Sequence, residues 1–354
     1  MAAKKRKTLP KDFKELVESG DIGALKAVYD TCEIDAYDSA SSKQTALHFY
    51  KVPDELVKWL VSQGADIEAR DSYGRTPLHH QAGSWCGNVG LFLELGADIG
   101  AVGNSGGTPL HYAADGHHAD SVRLLIEHGA DLGAEENYFR HTPLAYALAR
   151  CPNSGIAEMA QTAAVFLEAG DKITPKMKED VRRIGETFEF HRENFNKDSL
   201  AETEAGLARL YEMFGVTPVA RRRVHDGVSP ITVSARNWQK QFSELWDFLV
   251  PSQGAAKTVQ GEVIRIAGRV SDEILDNGGV NWDNDYRKML DALAGYLGMG
   301  TPLKPREIKK AAGLCAKLQG GSGGAEPVQL AELAVRWVVK NPAPLPLGKP
   351  EYKR

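Results

Sequence analysis

The tetrapeptide Thr-Pro-Leu-His occurs at residues 76–79 and 108–111, with variants at 45–48, where Ala46 replaces proline, and at 142–145, where Ala145 replaces histidine. Each copy is followed by a Gly-Ala-Asp turn, at Gly64, Gly96 and Gly129 and, more loosely, at Ala169-Gly170-Asp171. Two signals in one register, with a period near 33 residues, define an internal repeat. That period constrains the fold more than any other feature. A unit so short cannot bury its own apolar face, so units must stack and draw their stability from neighbours.

Each copy reads as a pair of short helices. The threonine hydroxyl can cap the helix start and bond back to the histidine of the same or the neighbouring repeat, and proline suits a first helical turn because its missing N–H would have no partner there. In the best-formed unit Gly116-His117 breaks the first helix, while Val122, Leu124, Leu125 and Ile126 give the second its apolar side. Gly129 ends it, because glycine enters the left-handed region without strain. His48, His79, His111 and His117 therefore read as scaffold residues, and His118 as merely exposed. The pattern resembles the ankyrin repeat. That resemblance implies an all-α solenoid of helix-turn-helix units with short hairpin tips, followed here by a helical C-terminal domain.

The 354 residues require more than one region, since single cores stop growing at roughly 250–300 residues. Residues 1–10 are expected to be a disordered basic tail carrying Lys4-Lys5-Arg6-Lys7. Residues 11–173 form the ankyrin repeats: an N-terminal cap, three regular repeats over 36–69, 70–101 and 102–134, and a degenerate one over 135–173. Residues 174–226 read as capping helices and linker, with Met177, Val181, Ile184 and Phe188 docking the first helix on the last repeat. A helical module follows over 227–300, with apolar stripes around Trp238 and Trp246, Val259 and Ile274, and Tyr286 and Leu297. Residues 301–354 add two helices joined by a Gly-rich linker and end in an extended Pro-rich tail.

Composition limits the partners. With 42% hydrophobic and 25% charged residues the chain has the balance of a soluble globular protein, and a net charge of −4 gives no bulk attraction for nucleic acid or anionic lipid. Recognition must be local. No apolar run reaches the roughly 18 residues of a membrane span, and none follows the basic N-terminus, so a cytoplasmic location without membrane association is expected. Cys32, Cys86, Cys151 and Cys315 are scattered without a CxxC and read as reduced core thiols. Metal-ligand spacing, phosphate-cradling loops and nucleophile elbows are missing, so no catalytic residue, cofactor or metal is assigned and the chain does not read as an enzyme.

Two polar groupings stand out. Arg221-Arg222-Arg223 falls in a loop, as a surface run, a set of internal ion pairs or a patch for an acidic partner. Gln260, Glu262, Arg265, Arg269, Asp272 and Glu273 lie along one otherwise apolar helix, with Asn277, Asn281, Asp283, Asn284 and Asp285 at its end. Glu262 with Arg265, and Arg269 with Glu273, have the spacing of helix-surface salt bridges. The alternative to a binding protein is an enzyme or metal-dependent activity in this module, with the repeats recruiting substrate. It requires Glu262, Asp283 and Asp285 to converge on one point.

The ankyrin resemblance implies protein recognition. In that family the hairpin tips and first-helix edges line a concave face whose side chains vary while the scaffold does not. Carried over repeat by repeat, the partner-binding positions are Tyr73, Arg75, His80 and Gln81, then Asn104, Ser105, Tyr112 and Asp115, then Tyr138, Phe139, Arg140 and Tyr146. Aromatic and arginine side chains dominate interfaces, at roughly 2 kcal/mol or more each when central, so Tyr138-Phe139-Arg140 leads this set. Its other reading is packing against the helix after Pro175. The second half also looks similar to C-terminal regions of bacterial ankyrin proteins, which implies an inhibitor or immunity protein whose protein partner is a toxin or defence enzyme. Nucleic acid is not an expected partner.

Overall fold

The computed structural model describes residues 4–353. Two compact units emerge: one reaches to Phe188 and includes Asn196–Val219, and the other is Glu189–Phe195 together with the residues from Ala220 onward.

The first unit opens with a strand where a disordered tail was expected. Arg6–Thr8 pairs in parallel with Cys32–Tyr37, and the Lys5 ammonium donates to the Tyr29 carbonyl at 2.5 Å. The edge of Cys32–Tyr37 offers unpaired backbone groups, and the basic segment satisfies them; residues 1–3 of the expected tail lie outside the described residues. Cap helices Phe13–Ser19 and Ile22–Thr31 follow, turned at Gly20 with φ of 69°.

In the repeats the first helix is a single 3₁₀ turn, Ala46–His48, and then Pro77–Ala82, Pro109–Asp115 and Pro143–Arg150. The second helices are Asp54–Ser62, Val89–Glu94, Ala119–Glu127 and Ile156–Glu168. The backbone N–H groups of Thr45, Thr76 and Thr108 donate to Nδ1 of His48, His79 and His111, each at 3.1 Å. The Nε2 atoms of these rings lie 3.1 Å from the carbonyls of Arg75, Gly107 and His141 in the following repeat. A ring nitrogen that accepts from an amide carries no proton, so each histidine is the Nε2–H tautomer and joins its own helix start to the next repeat. The last repeat has Ala145 instead, and there the Thr142 hydroxyl is buried without a partner.

Two longer helices follow. On Pro175–His191, Met177, Val181, Ile184 and Phe188 are buried, and Arg183 donates to the carbonyls of Leu148 and Ala149 at 2.9 Å. Lys197–Phe214 packs on Ile156–Glu168 so closely that a Cβ on Gly206 would stand 2.7 Å from the Ala157 Cα.

The second unit has helices Trp238–Leu249, Val259–Ser271, Asn284–Tyr296, Pro305–Leu318 and Glu326–Lys340. Val259–Ser271 is its axis, buried at every residue from 259 to 268, and a π-helical turn, Asp272–Asp276, prolongs it. One core runs from Ile231 through Val263, Leu293, Leu318 and Trp337 to Tyr352, on both sides of residue 300. The expected extended tail is instead a clasp. Buried Gln260 donates to the carbonyls of Asn341 and Ala343 and accepts from the Leu345 N–H.

Glu262 and Arg265, expected as a surface pair, are 0% and 1% exposed and meet at 2.5 Å. Glu262 also accepts from the Ala256 N–H and, at 2.7 Å, from the Tyr352 hydroxyl. The polar side of the helix is covered by the clasp, which the helix's own spacing does not reveal. Arg222 is likewise internal: it donates to the carbonyls of Trp246, Asp247 and Val250, where a cation suits a helix C-terminus, and lies 4.1 Å over the Phe190 ring. It is not available as a patch for an acidic partner.

All four cysteines are free, but Cys86 is only partly buried. His118, expected to be exposed, is half-buried. Among the described residues no helix is long and apolar enough to cross a membrane.

Candidate protein-binding face

A hairpin tip precedes each threonine, and carboxylates organise two of the tips. Asp71 accepts from the backbone N–H of Tyr73 (2.8 Å) and Arg75 (2.9 Å), from Arg75 Nε (2.9 Å) and from His80 Nε2 (3.0 Å). Burial alone would raise its pKa, but the bonds from Arg75 and His80 outweigh burial and hold it at about 2. Glu136 accepts from the N–H groups of Tyr138 (2.7 Å), Phe139 (2.8 Å) and His141 (3.2 Å). Its pKa too is held below the usual carboxylate range, against the opposing effect of burial.

Successive tips are bonded into a ladder, Ser72 N–H to Ser42 carbonyl, Asn104 to Tyr73 and Asn137 to Ser105, at 2.8 to 3.0 Å. The residue two before each threonine is left-handed: Lys43 (φ 53°), Gly74 (72°), Gly106 (85°) and Arg140 (57°). A Cβ on Gly74 or Gly106 would come within 2.3 Å or 2.6 Å of the side chain of Asn104 or Asn137, so the two inner tips need glycine. A family model describing ankyrin repeats in three copies matches residues 83–162.

This chain carries ankyrin repeats.

No curated protein matches the chain. The ankyrin geometry continues on the N-terminal side of the matched stretch, where Thr45 with His48 and Thr76 with His79 close the same cap. Ankyrin repeats make the chain a scaffold for protein–protein interaction.

Six of the residues carried over from the ankyrin resemblance come together. Ser105, Tyr112, Asp115, Tyr138, Phe139 and Tyr146 line one cavity of about 190 Å³, with Glu136 and Arg150. Tyr138 and Phe139 are each 76% exposed, so packing against the helix after Pro175 is not what holds them. Asp115 accepts from Arg150 Nε at 2.9 Å, and the Arg150 guanidinium lies 5.0 Å over the Tyr146 ring. Arg140 pairs with Glu135 at 2.5 Å. Tyr73, Arg75 and Asn104 belong to another part of the ladder, where Arg75 lies 4.8 Å over Tyr73 and pairs with Asp71 at 2.8 Å.

His80 and Gln81 do not belong to a surface. His80 is buried on Asp71, and Gln81 is buried with its amide donating to the carbonyls of Leu47 and Phe49. Gln81 bridges repeats through these bonds, and His80 through its ring, edge-on to His48 at 5.1 Å, which their place on the first helix does not disclose. Absent from the sequence-derived set are Trp85, 81% exposed, and Tyr50, which with Lys51 and His118 line a second cavity of about 640 Å³. All lie in turns after first helices. Aligning the repeats on those turns, as well as on the tips, would have found them.

In the second unit the polar grouping disperses. Glu262 is bonded to Arg265 and Tyr352, Asp283 accepts from the N–H groups of Asp285 and Tyr286 at its helix start, and Asp285 accepts from Lys353 N–H. Arg269, Asp272 and Glu273 line a cleft of about 470 Å³ with Trp246 and Tyr286. Burial, and then the charge of Asp276, raise the Asp272 pKa there.

Proposed function

We propose that this chain is a non-catalytic binding protein whose ankyrin face grips one specific protein through the tip and first-helix residues of its last two repeats. A single observation supports this most: every exposed aromatic side chain among the described residues, Tyr50, Tyr73, Trp85, Tyr138 and Phe139, belongs to the repeats. The second unit exposes only aliphatic and methionine side chains of that size. Tyrosine, tryptophan and phenylalanine are the side chains that anchor interfaces, and leaving them in water has no benefit to the fold.

A narrower form of the reading, an inhibitor or immunity protein that neutralises a bacterial toxin or defence enzyme, rests solely on the resemblance drawn from the sequence between the second half and C-terminal regions of bacterial ankyrin proteins. The test uses the intact chain to capture its partner from native lysate, beside a Tyr138→Ala/Phe139→Ala variant. The variant is expected to fold normally and lose the captured protein. Equal capture by both proteins would remove this surface from the binding face, and inhibition assays on the captured protein decide the narrower form.

A further inference from the structure

We infer that the cavity between the last two repeats receives a basic side chain, lysine or arginine, from the partner; this rests on the binding face proposed above. Its walls are the rings of Tyr112, Tyr138, Phe139 and Tyr146, and an aromatic face attracts a cation through its quadrupole. Its charged residues are Glu136, Asp115 and Arg150.

Asp115 and Arg150 pair with each other and cancel. Glu136, 3% exposed, is satisfied by backbone N–H groups, and His141 Nδ1 lies 3.9 Å from it. His111, also in the lining, is locked as the neutral tautomer by Thr108 and the His141 carbonyl. The cavity thus carries one net negative charge inside an aromatic enclosure. Arg150 displays the chemistry from within: its guanidinium already lies over Tyr146 and on a carboxylate. A guest cation would take the remaining rings, Tyr138 and the face of Phe139 turned away from His141, on which Phe139 stacks at 5.6 Å.

The experiment titrates the intact protein with blocked pentapeptides Gly-Gly-X-Gly-Gly, X being Arg, Lys, Gln, Leu or Glu, and follows the aromatic NMR signals of Tyr138, Phe139 and Tyr146. Arg and Lys peptides are expected to shift these signals, with Gln, Leu and Glu peptides inert. Tyr138→Ala should weaken the effect by roughly tenfold, as should Glu136→Gln, which keeps one acceptor oxygen but turns an NH2 toward a tip N–H, so the Tyr138 and Phe139 amide signals are checked against the parent's. Arg150→Gln frees Asp115 and should tighten the Arg peptide.

Preference for the Glu peptide, with binding abolished by Arg150→Gln, would show an anion site and overturn the proposal. So would a Leu peptide that matches Arg, or signals that no peptide moves. With the natural partner, loss of binding in Tyr138→Ala but not in Glu136→Gln would sink the cation anchor alone. No loss in either would sink the binding face itself.

Discussion

Thr76 and His79 bond to each other twice: the threonine amide donates to the imidazole Nδ1 at 3.1 Å, and its hydroxyl lies 2.9 Å from the same nitrogen. Because Nδ1 carries no proton, the hydroxyl must be the donor, and the two donors share the one lone pair. Thr142 has the same place but faces Ala145, and its hydroxyl has no partner. Thr76→Val is therefore expected to cost about 1–2 kcal/mol, and Thr142→Val close to nothing, since an orphaned buried hydroxyl is itself a cost. Urea titrations of the two variants compare them directly.

The same histidines tie stability to pH. Burial first, against the bonds to Gly107 and Asp71, lowers His79 and His80 to about 4 from an ordinary 6.5. The folded state binds these protons less readily than the unfolded chain, so the contribution of the neutral rings is complete above 6.5 and is lost as pH falls toward 4. Each group changes stability by about 1.4 kcal/mol per pH unit inside that window. The urea midpoint should fall between pH 7 and pH 5, and His80→Gln should flatten part of that slope.

Glycines in helices divide by what surrounds them. Gly206→Ala would drive a methyl group into the Ala157 backbone and is expected to destabilise by about 1–3 kcal/mol. Gly313, in Pro305–Leu318, has nothing within 4 Å, so Gly313→Ala should stabilise by about 0.5–1 kcal/mol. Thermal denaturation of both variants separates close approach from simple flexibility.

In the second unit the buried pair of Glu262 and Arg265 gives the sharpest contrast. Glu262→Ala leaves a buried guanidinium without its carboxylate and should cost about 3–5 kcal/mol. Tyr352→Phe removes one hydrogen bond to that carboxylate and should cost about 1.5–3 kcal/mol, since the acceptor is charged. A Tyr352→Phe variant as stable as the parent would show that the clasp does not bear on the pair.

The repeats were legible because their signals are local. A threonine, a proline and a histidine within four residues set a helix start, and the same residues fix the bond to the next repeat. The cavity between the last two repeats was half legible: Tyr112, Tyr138, Phe139 and Tyr146 follow from their register, whereas Arg150 joins through a bond to Asp115 that only the fold brings about. His80 and Gln81 were misplaced because register gives the helix and not the side-chain direction after a neighbour has stacked on it. The second unit resisted for a related reason. Gln260 bonds to residues 341 to 345, and Glu262 to Tyr352, and no periodicity along one helix reports a partner so distant in the chain.

That distance orders the molecule in time as well as in space. Every repeat finds its neighbours among residues close behind it, so the array can form as the chain is synthesised. The second unit cannot close its core until Tyr352 has emerged and the clasp has returned to Val259–Ser271. Through that interval the aromatic tips of the repeats are already displayed while the second unit is unfinished, so the proposed face would be available to a target before the second unit has folded.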